Sequence, residues 1–296
     1  MFNPARRRVF GGKAIHPFAP EHAVGVAVPT CPFDLDALKT RTGVASLVYH
    51  ETVESTNDLA LELATKGICP PGPPLLVLTS QQTRGRGRRG RRWDSSPGSL
   101  TFSLLFTHST PPPLHKLPTL ALAVALGISR ALTSYLANSS AAGGTATAQL
   151  KWPNDVLVGT KKISGVLVEP RPASPNTLSA VVVGVGINVN NRIENDLSDQ
   201  ATSLATELGT TIPLSDCLLK VLNHIEHEVE AWRANDPQLP LRWNQSLRSI
   251  DRHVAIDTPI GTVTGTCRGI DPEGRLLIEN SAGVLQQVVS EIVPET

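Results

Sequence analysis

The sequence carries almost no net charge: 27 lysines and arginines face 26 aspartates and glutamates, leaving +1 over 296 residues. A general electrostatic attraction to nucleic acid or to an anionic membrane is therefore not indicated. Cysteine is sparse. Cys31, Cys69, Cys217 and Cys267 lie far apart, with no C-x-x-C pair and no metal-ligand spacing, which fits free thiols in a reducing cytosol. No apolar run reaches the ~20 residues that span a bilayer. The basic cluster Arg6 to Arg8 is not followed by the apolar stretch of a signal peptide. No internal repeat is evident. The length suits one large domain, or a large one with a small one.

What the chain does contain is a local concentration of charge. Arg84 to Arg92 hold six arginines and three glycines in nine positions, with no acid among them. Arginine brings planar donors suited to phosphates and carboxylates, and glycine lets backbone approach a ligand closely. A loop of both is expected to wrap a small anionic ligand. Mutual repulsion of the arginines predicts that it is mobile when empty and orders over that ligand. Gly85-x-Gly87-x-x-Gly90 spells the dinucleotide fingerprint, but that motif needs a helix after it, and Ser99 to Phe106 reads as a strand. The Walker A pattern fails too, because no Lys-Ser/Thr follows the last glycine. A solvated basic turn or an arginine-glycine nucleic-acid segment remains the alternative.

Residues 1 to 32 mix prolines, basic residues and short apolar runs, and read as a poorly ordered tail. Phe33 to Lys39 is a candidate short helix with Asp34 or Asp36 at its start. Ser46 to His50 reads as a strand. Ser55 to Asp58 supply N-cap residues for a helix from Leu59 to Lys66, ended by Gly67. Leu75 to Thr79 and Ser99 to Phe106 are strands, and Leu117 to Leu136 is a long buried helix. Asn138 to Thr147 is a Ser/Gly/Ala loop. Gln149 to Trp152 and Asp155 to Val158 flank a Trp-Pro-Asn-Asp turn. Strands follow at Gly165 to Glu169 and Ser179 to Asn190, then an amphipathic helix from Leu214 to Arg233. From Ser249 short β runs alternate with turn signals, as in a small β-barrel. The fold class is thus α+β: a mixed sheet with helices over residues 33 to 248, and a β domain over 249 to 296.

Four further features are candidates for chemistry. Lys151 and Asp155 bracket the Trp-Pro-Asn turn; a structural salt bridge is the plain alternative. Lys162 stands at the mouth of an apolar strand, or else is simply solvated. Gly184 and Gly186 interrupt a strand, to admit a ligand against the main chain or to allow a tight crossing of packed elements. His224, His227 and Glu228 share one helix without metal spacing, and read as a solvated helix face.

Ser55-Thr-Asn57, Gln82, Gly85-Arg-Gly-Arg-Arg-Gly90 with Trp93, Lys151-Trp-Pro-Asn-Asp155, Lys162-Ile-Ser-Gly165 and Gly184-Val-Gly-Ile-Asn188 occur in this order. Together they resemble the biotin–protein ligases (biotin–[acetyl-CoA-carboxylase] ligases), from about Asp34 to the C-terminus. The resemblance implies a catalytic domain related to class II aminoacyl-tRNA synthetases and an SH3-like C-terminal barrel. It implies ATP and biotin as substrates with Mg²⁺, a biotinyl-5′-AMP intermediate, and transfer to a lysine of a biotin carboxyl carrier protein. No protein side chain is assigned to the metal.

By that resemblance Lys162, Arg88, Lys151 and Asp155 form the catalytic set, with Asp155 orienting or deprotonating the acceptor lysine. Ser55, Thr56, Asn57, Gln82, Gly85, Arg86, Gly87, Arg88, Lys162, Gly165 and Gly184 form the biotin set. Arg88, Arg91, Trp93, Lys151, Asn154, Gly186 and Asn188 form the nucleotide set, with Trp93 offering a flat face near adenine. Many bacterial members carry an N-terminal helix-turn-helix domain. The proline-rich residues ahead of Ser46 do not form two clear helices, so the single-function type without DNA binding is expected, in the cytoplasm, as a monomer or homodimer, with no membrane association. Lipoate–protein ligases and octanoyltransferases share the fold; the arginine-glycine loop and Lys-Trp-Pro-Asn-Asp favour biotin. A nucleic-acid-binding protein using the same loop is the non-enzyme alternative, and the near-neutral charge argues against it.

Overall fold

Two local rules start the chain. The Asp34 side chain accepts a 2.9 Å hydrogen bond from Ala37 N and caps α1 (Leu35–Arg41). Ser55 does the same for α2 (Thr56–Thr65), taking Asp58 N at 3.4 Å. The computed structural model describes residues 31–69, 71–107, 112–137, 146–174, 177–194, 197–259 and 261–289. The expected tail, apart from its last two residues, and most of the Asn138 to Thr147 loop lie outside the described residues.

A seven-stranded sheet runs in the order β1-β2-β3-β7-β6-β5-β4. Its strands are β1 (Ser46–Val53), β2 (Leu75–Gln82), β3 (Leu100–Thr107), β4 (Ala148–Lys151), β5 (Asp155–Val158), β6 (Lys161–Ser174) and β7 (Thr177–Ile187). β1 and β2 are parallel and the other neighbours antiparallel, so the sheet is mixed, as expected. β6 extends beyond the expected Gly165 to Glu169 in both directions, and β7 stops at Ile187, short of the expected Asn190. The remaining helices are α3 (Leu117–Leu136), α4 (Leu204–Leu208), α5 (Leu214–Arg233) and α6 (Leu239–Ser246). α4 and α6 were not foreseen; each is under three turns, too short for a helical period to stand out.

Strand parity sorts the core. Phe102 and Leu104 of β3 and Val181, Val183, Val185 and Ile187 of β7 pack with α3 and α5. Leu75, Val77, Leu105, Ala180 and Val182 pack with α2 on the opposite face. The unbroken apolar run of β7 is the signature of a strand covered on both faces. Gly184 and Gly186 continue the α2-side row, so that face becomes hollow just where α2 begins.

α3 with its preceding turn, Leu114–Leu136, is long and apolar enough to cross a membrane by length and composition. This corrects the expectation that no such run exists. Here 78% of its window is buried, as the central helix of the core.

Glu228 also departs from expectation. It is not on a solvated face: it is 0% exposed, at the i+7 and i+3 positions from Val221 and Ile225 on the buried stripe of α5. Arg130 Nη1 lies 2.6 Å and Arg242 Nε 3.2 Å from its carboxylate. Burial pulls the Arg242 pKa down, but its bond to Asp236 and the nearby Glu228 and Asp236 charges outweigh that and raise it. His224 is half-buried and His227 exposed.

A second, antiparallel sheet holds β8 (His253–Thr258), β9 (Gly261–Ile270), β10 (Leu276–Glu279) and β11 (Leu285–Val288), in the order β11-β10-β9-β8. The expected turn at Asp271 forms: its carboxylate accepts from Glu273 N at 3.0 Å and Arg275 N at 2.9 Å. Asn244 of α6 exchanges two hydrogen bonds with the Ile270 backbone, and Trp152 Nε1 donates to Gly274 O at 2.9 Å. The second sheet is thereby tied to the turn that carries the Lys-Trp-Pro-Asn-Asp motif.

Candidate active site

Sheet register assembles the site. Gly186 of β7 has Thr101 on one side and Gly165 on the other; Gly184 has Ser103 and Leu167. All of these but Ser103 line one face of the hollow. A Cβ on Gly184 would overlap the Asn57 side chain, and one on Gly186 would overlap the indole of Trp93. The tight crossing raised for these glycines is therefore present, and the side chains that cross them, Asn57 and Trp93, also line the cavity.

The N-terminus of α2 supplies Ser55, Thr56 and Asn57, all at least 96% buried. Gln82 Oε1 accepts from Thr56 N at 2.7 Å and from Thr56 Oγ1 at 3.1 Å. Ser103 Oγ bonds Thr56 Oγ1 at 2.8 Å and donates to Asn57 Oδ1 at 2.6 Å. Ser103 was missed in the sequence, although two-residue alternation from Thr101 places it on this face.

Over the hollow lies the arginine loop. Arg86 and Arg92 pair as an isolated bridge, Gly87 N donates to Arg91 O at 2.6 Å, and Trp93 N donates to Gly85 O at 3.0 Å. Its tip, Arg88–Gly90, is a single tight turn with Arg89 at φ 57° and Gly90 at φ 69°. The six arginines of the loop do not share one environment. Arg86 and Arg88 face the cavity; Arg84 turns out to Glu54, and Arg89, Arg91 and Arg92 are exposed. Six like charges cannot share one small space, and alternation along the loop splays them.

Lys162 enters from β6. Its Nζ lies 2.7 Å from Asp155 Oδ1 and 5.7 Å from the Trp93 ring centroid. The anticipated pairing of Lys151 with Asp155 is thus replaced by Lys162 with Asp155. Lys151 is exposed, whereas the β5–β6 register brings Asp155 opposite Gly165, beside Lys162. Asn154 accepts from Arg88 Nη1 at 3.3 Å and donates to Val166 O at 2.6 Å, which links the loop to β6.

The cavity under the loop measures about 60 Å³, room for a few waters, against about 300–1,000 Å³ for most small-molecule sites. Ser55, Thr56, Asn57, Gln82, Arg86, Gly87, Arg88, Trp93, Asn154, Lys162, Gly165, Gly184 and Gly186 line it. Gly85 sits behind it, its missing side chain replaced by Trp93 O and Gln82. A neighbouring cleft of about 300 Å³ holds Lys151, Arg89, Arg91 and Asp155 across from Ala255 to Thr258, and shares Arg88 and Asn154 with the first. Trp93 and Gly186, expected on the nucleotide side, line the first cavity. Asn188 lines neither: its amide donates to Thr202 O and accepts from Asn191. A roomier hollow, about 580 Å³, lies between α5, the end of β3 and the 71–74 turn. It contains none of the motif residues, so volume is a poor guide here.

Gly186→Ala is expected to displace the Trp93 ring and lower stability by about 1–3 kcal/mol. An unshifted Trp93 indole resonance in the variant would contradict the packing described.

The arrangement joins a neutral hydrogen-bonding floor to two cations, Lys162 and Arg88, suited to a ligand with a polar head and an anionic tail. The chain as a whole is similar to known proteins. The biotin/lipoate A/B protein ligase family model matches residues 49–188, and the biotin protein ligase C-terminal domain model matches residues 249–290. The bifunctional ligase/repressor BirA of Bacillus subtilis is 33% identical over 252 residues, 83% of this chain and 73% of that protein. The biotin–[acetyl-CoA-carboxylase] ligase of Mycobacterium tuberculosis is 32% identical, covering 76% of this chain and 80% of that one. The biotin protein ligase from Aquifex aeolicus in complex with biotin and ATP superposes with a TM-score of 0.68 at 29% identity, covering 83% and 96% of the two chains.

Proposed function

Because the chain belongs to the biotin–protein ligase family, we infer that it attaches biotin to a lysine of a biotin carboxyl carrier protein in two ATP-dependent steps. The observation that carries this reading is Lys162, set beside Asp155 and Trp93 under the arginine loop and facing the two glycines of β7. In the first step a biotin carboxylate oxygen attacks the α-phosphorus of ATP. The bond to the β-phosphate bridge breaks and pyrophosphate leaves. Lys162 and Arg88 offset the repulsion between the two anions. In the second step a neutral lysine amine attacks the acyl carbon, loses its proton, and AMP departs. Asp155 is the group proposed to orient that amine. The Thr56–Gln82–Ser103–Asn57 floor is proposed to hold the ureido ring, and the cleft with Lys151 and Arg91 the nucleotide phosphates.

ATP would bring Mg²⁺ on its phosphates. Such an ion takes its oxygen ligands largely from phosphate and water, and no side chain of this chain is assigned to it. The fold is proposed to be related to class II aminoacyl-tRNA synthetases over residues 33–248 and SH3-like over 249–296. Free thiols at Cys31, Cys69, Cys217 and Cys267 suit action in a reducing cytoplasm.

The test is incubation with ATP, Mg²⁺, labelled biotin and an apo carrier domain, with labelling of the carrier lysine expected. Transfer of lipoate or octanoate instead of biotin would overturn the reading. Arg88→Gly is expected to loosen the loop from Asn154 and release biotinyl-AMP. Labelling of bystander proteins should rise about tenfold or more; no rise, with adenylate formed at the normal rate, would remove Arg88 from that role.

A further inference from the structure

Glu169 belongs to none of the motifs in the sequence, yet it stands at the centre of the loop's attachment. It lies four residues past Gly165 on the site face of β6, opposite Val182, and its side chain is 14% exposed. Arg86 Nη2 is 2.9 Å from one carboxylate oxygen and 3.1 Å from the other. Asn57 Nδ2 donates to the same carboxylate. Asp58 adds a more exposed contact to Arg86 at 2.7 Å.

A carboxylate beside a site for an anion is costly unless it has a task. Its charge opposes the incoming ligand, and its effect is not screened as it would be at the surface. Here it is matched by Arg86. Arg86 is also one end of the bridge to Arg92 that forms the base of the loop. Holding Arg86 therefore holds the loop. Through Asn57 the same carboxylate steadies the side chain that leans on Gly184 and bonds Ser103.

We propose that Glu169 is a positioning residue, the anchor that ties the arginine loop to β6 and α2, and that the Arg86 charge serves this anchor rather than the ligand's carboxylate. Attraction for the ligand then falls to Lys162 and Arg88. The consequence for activity rests on the biotin-ligase reading; the anchor itself does not. Charge-assisted bonds of this kind are the stronger ones, so losing the charge should open the loop measurably.

The experiment uses the full chain without ligand. Trypsin cleavage after Arg88 to Arg92 is compared in wild type, Glu169→Gln, Arg86→Ala and the double variant. Glu169→Gln is expected to speed cleavage there about tenfold, and adding it to Arg86→Ala to produce no further increase. With biotin and ATP, Glu169→Gln should raise KM for biotin about tenfold while kcat for adenylate formation stays within about twofold, a split that general loss of structure does not produce. Should Glu169→Gln not fold, Glu169→Asp, which keeps the charge but withdraws it by one methylene, is used with the same expectations. Wild-type cleavage rates in Glu169→Gln, or effects that multiply in the double variant, would overturn the anchor. If wild type transfers no biotin, the functional reading fails, while the ligand-free proteolysis still decides the anchor.

Discussion

Lys162→Ala is expected to lower the rate of biotinyl-adenylate formation by about a thousandfold and to leave the fold intact. Two anions must be brought to bonding distance, and at about 4 Å a unit pair repels by about 4 kcal/mol at an effective dielectric of about 20. That corresponds to roughly three decades in rate. Lys162 is the cation placed to offset it, since its Nζ is held by Asp155 at 2.7 Å and rests toward the Trp93 ring. Arg88 is partly committed to Asn154, and Arg86 to Glu169 and Asp58. The Lys162 and Asp155 side chains are 36% and 17% exposed, so losing the ion pair should cost at most about 1 kcal/mol of stability. Biotin-dependent exchange of label between pyrophosphate and ATP measures the step. A rate within about tenfold of wild type would exclude Lys162 from it. Lys162→Arg should rescue poorly, because a planar guanidinium cannot reproduce the compact point charge of the ammonium beside Asp155.

The largest loss of stability is expected at Glu228→Ala, which strips the fully buried carboxylate from between Arg130 and Arg242. Removing one member of a buried pair costs about 3 kcal/mol or more, because the partner charge remains. For a domain of this size that is a fall of about 10 °C in Tm. Arg242 keeps Asp236 at 2.7 Å, and Arg130 is 38% exposed and can turn to water; both place the loss at the lower end. Arg242 sits on α6, whose Asn244 binds the Ile270 backbone. Faster hydrogen exchange at Ile270 should accompany the lower Tm. A variant melting within about 2 °C of wild type would show that the arginines do not need this acid.

The legible parts of the site were those written contiguously. Ser55 to Asn57, the arginine loop, Lys151 to Asp155, Lys162 and the glycines of β7 stand together in the sequence with their neighbours, and of the residues expected in the site all but Gly85, Lys151, Arg91, Asp155 and Asn188 line the one cavity. Glu169 and Ser103 were not read, because each lies inside an apolar strand and shows itself only through its parity with Gly165 and Thr101. Glu228 was misread for the converse reason: its charge suggested solvent, while its i+3 and i+7 spacing from Ile225 and Val221 had already put it on the buried stripe.

What the sequence by itself determined was the set of elements and their order. Hydrophobic period, capping side chains and turn residues act within a few positions of one another, so α1, α2, α3, α5 and the central strands follow from local chemistry. What only the tertiary structure decided was which charges meet. Asp155 could have paired with Lys151, its partner across the β4–β5 hairpin, and pairs with Lys162 because the shifted β5–β6 register carries that ammonium to its side. Six arginines crowd one loop; two face the cavity, Arg86 paired with Glu169, contributed by a strand 83 positions beyond it, and Arg88 bonded to Asn154. Pairings of that kind depend on distances through space, which spacing along the chain does not encode.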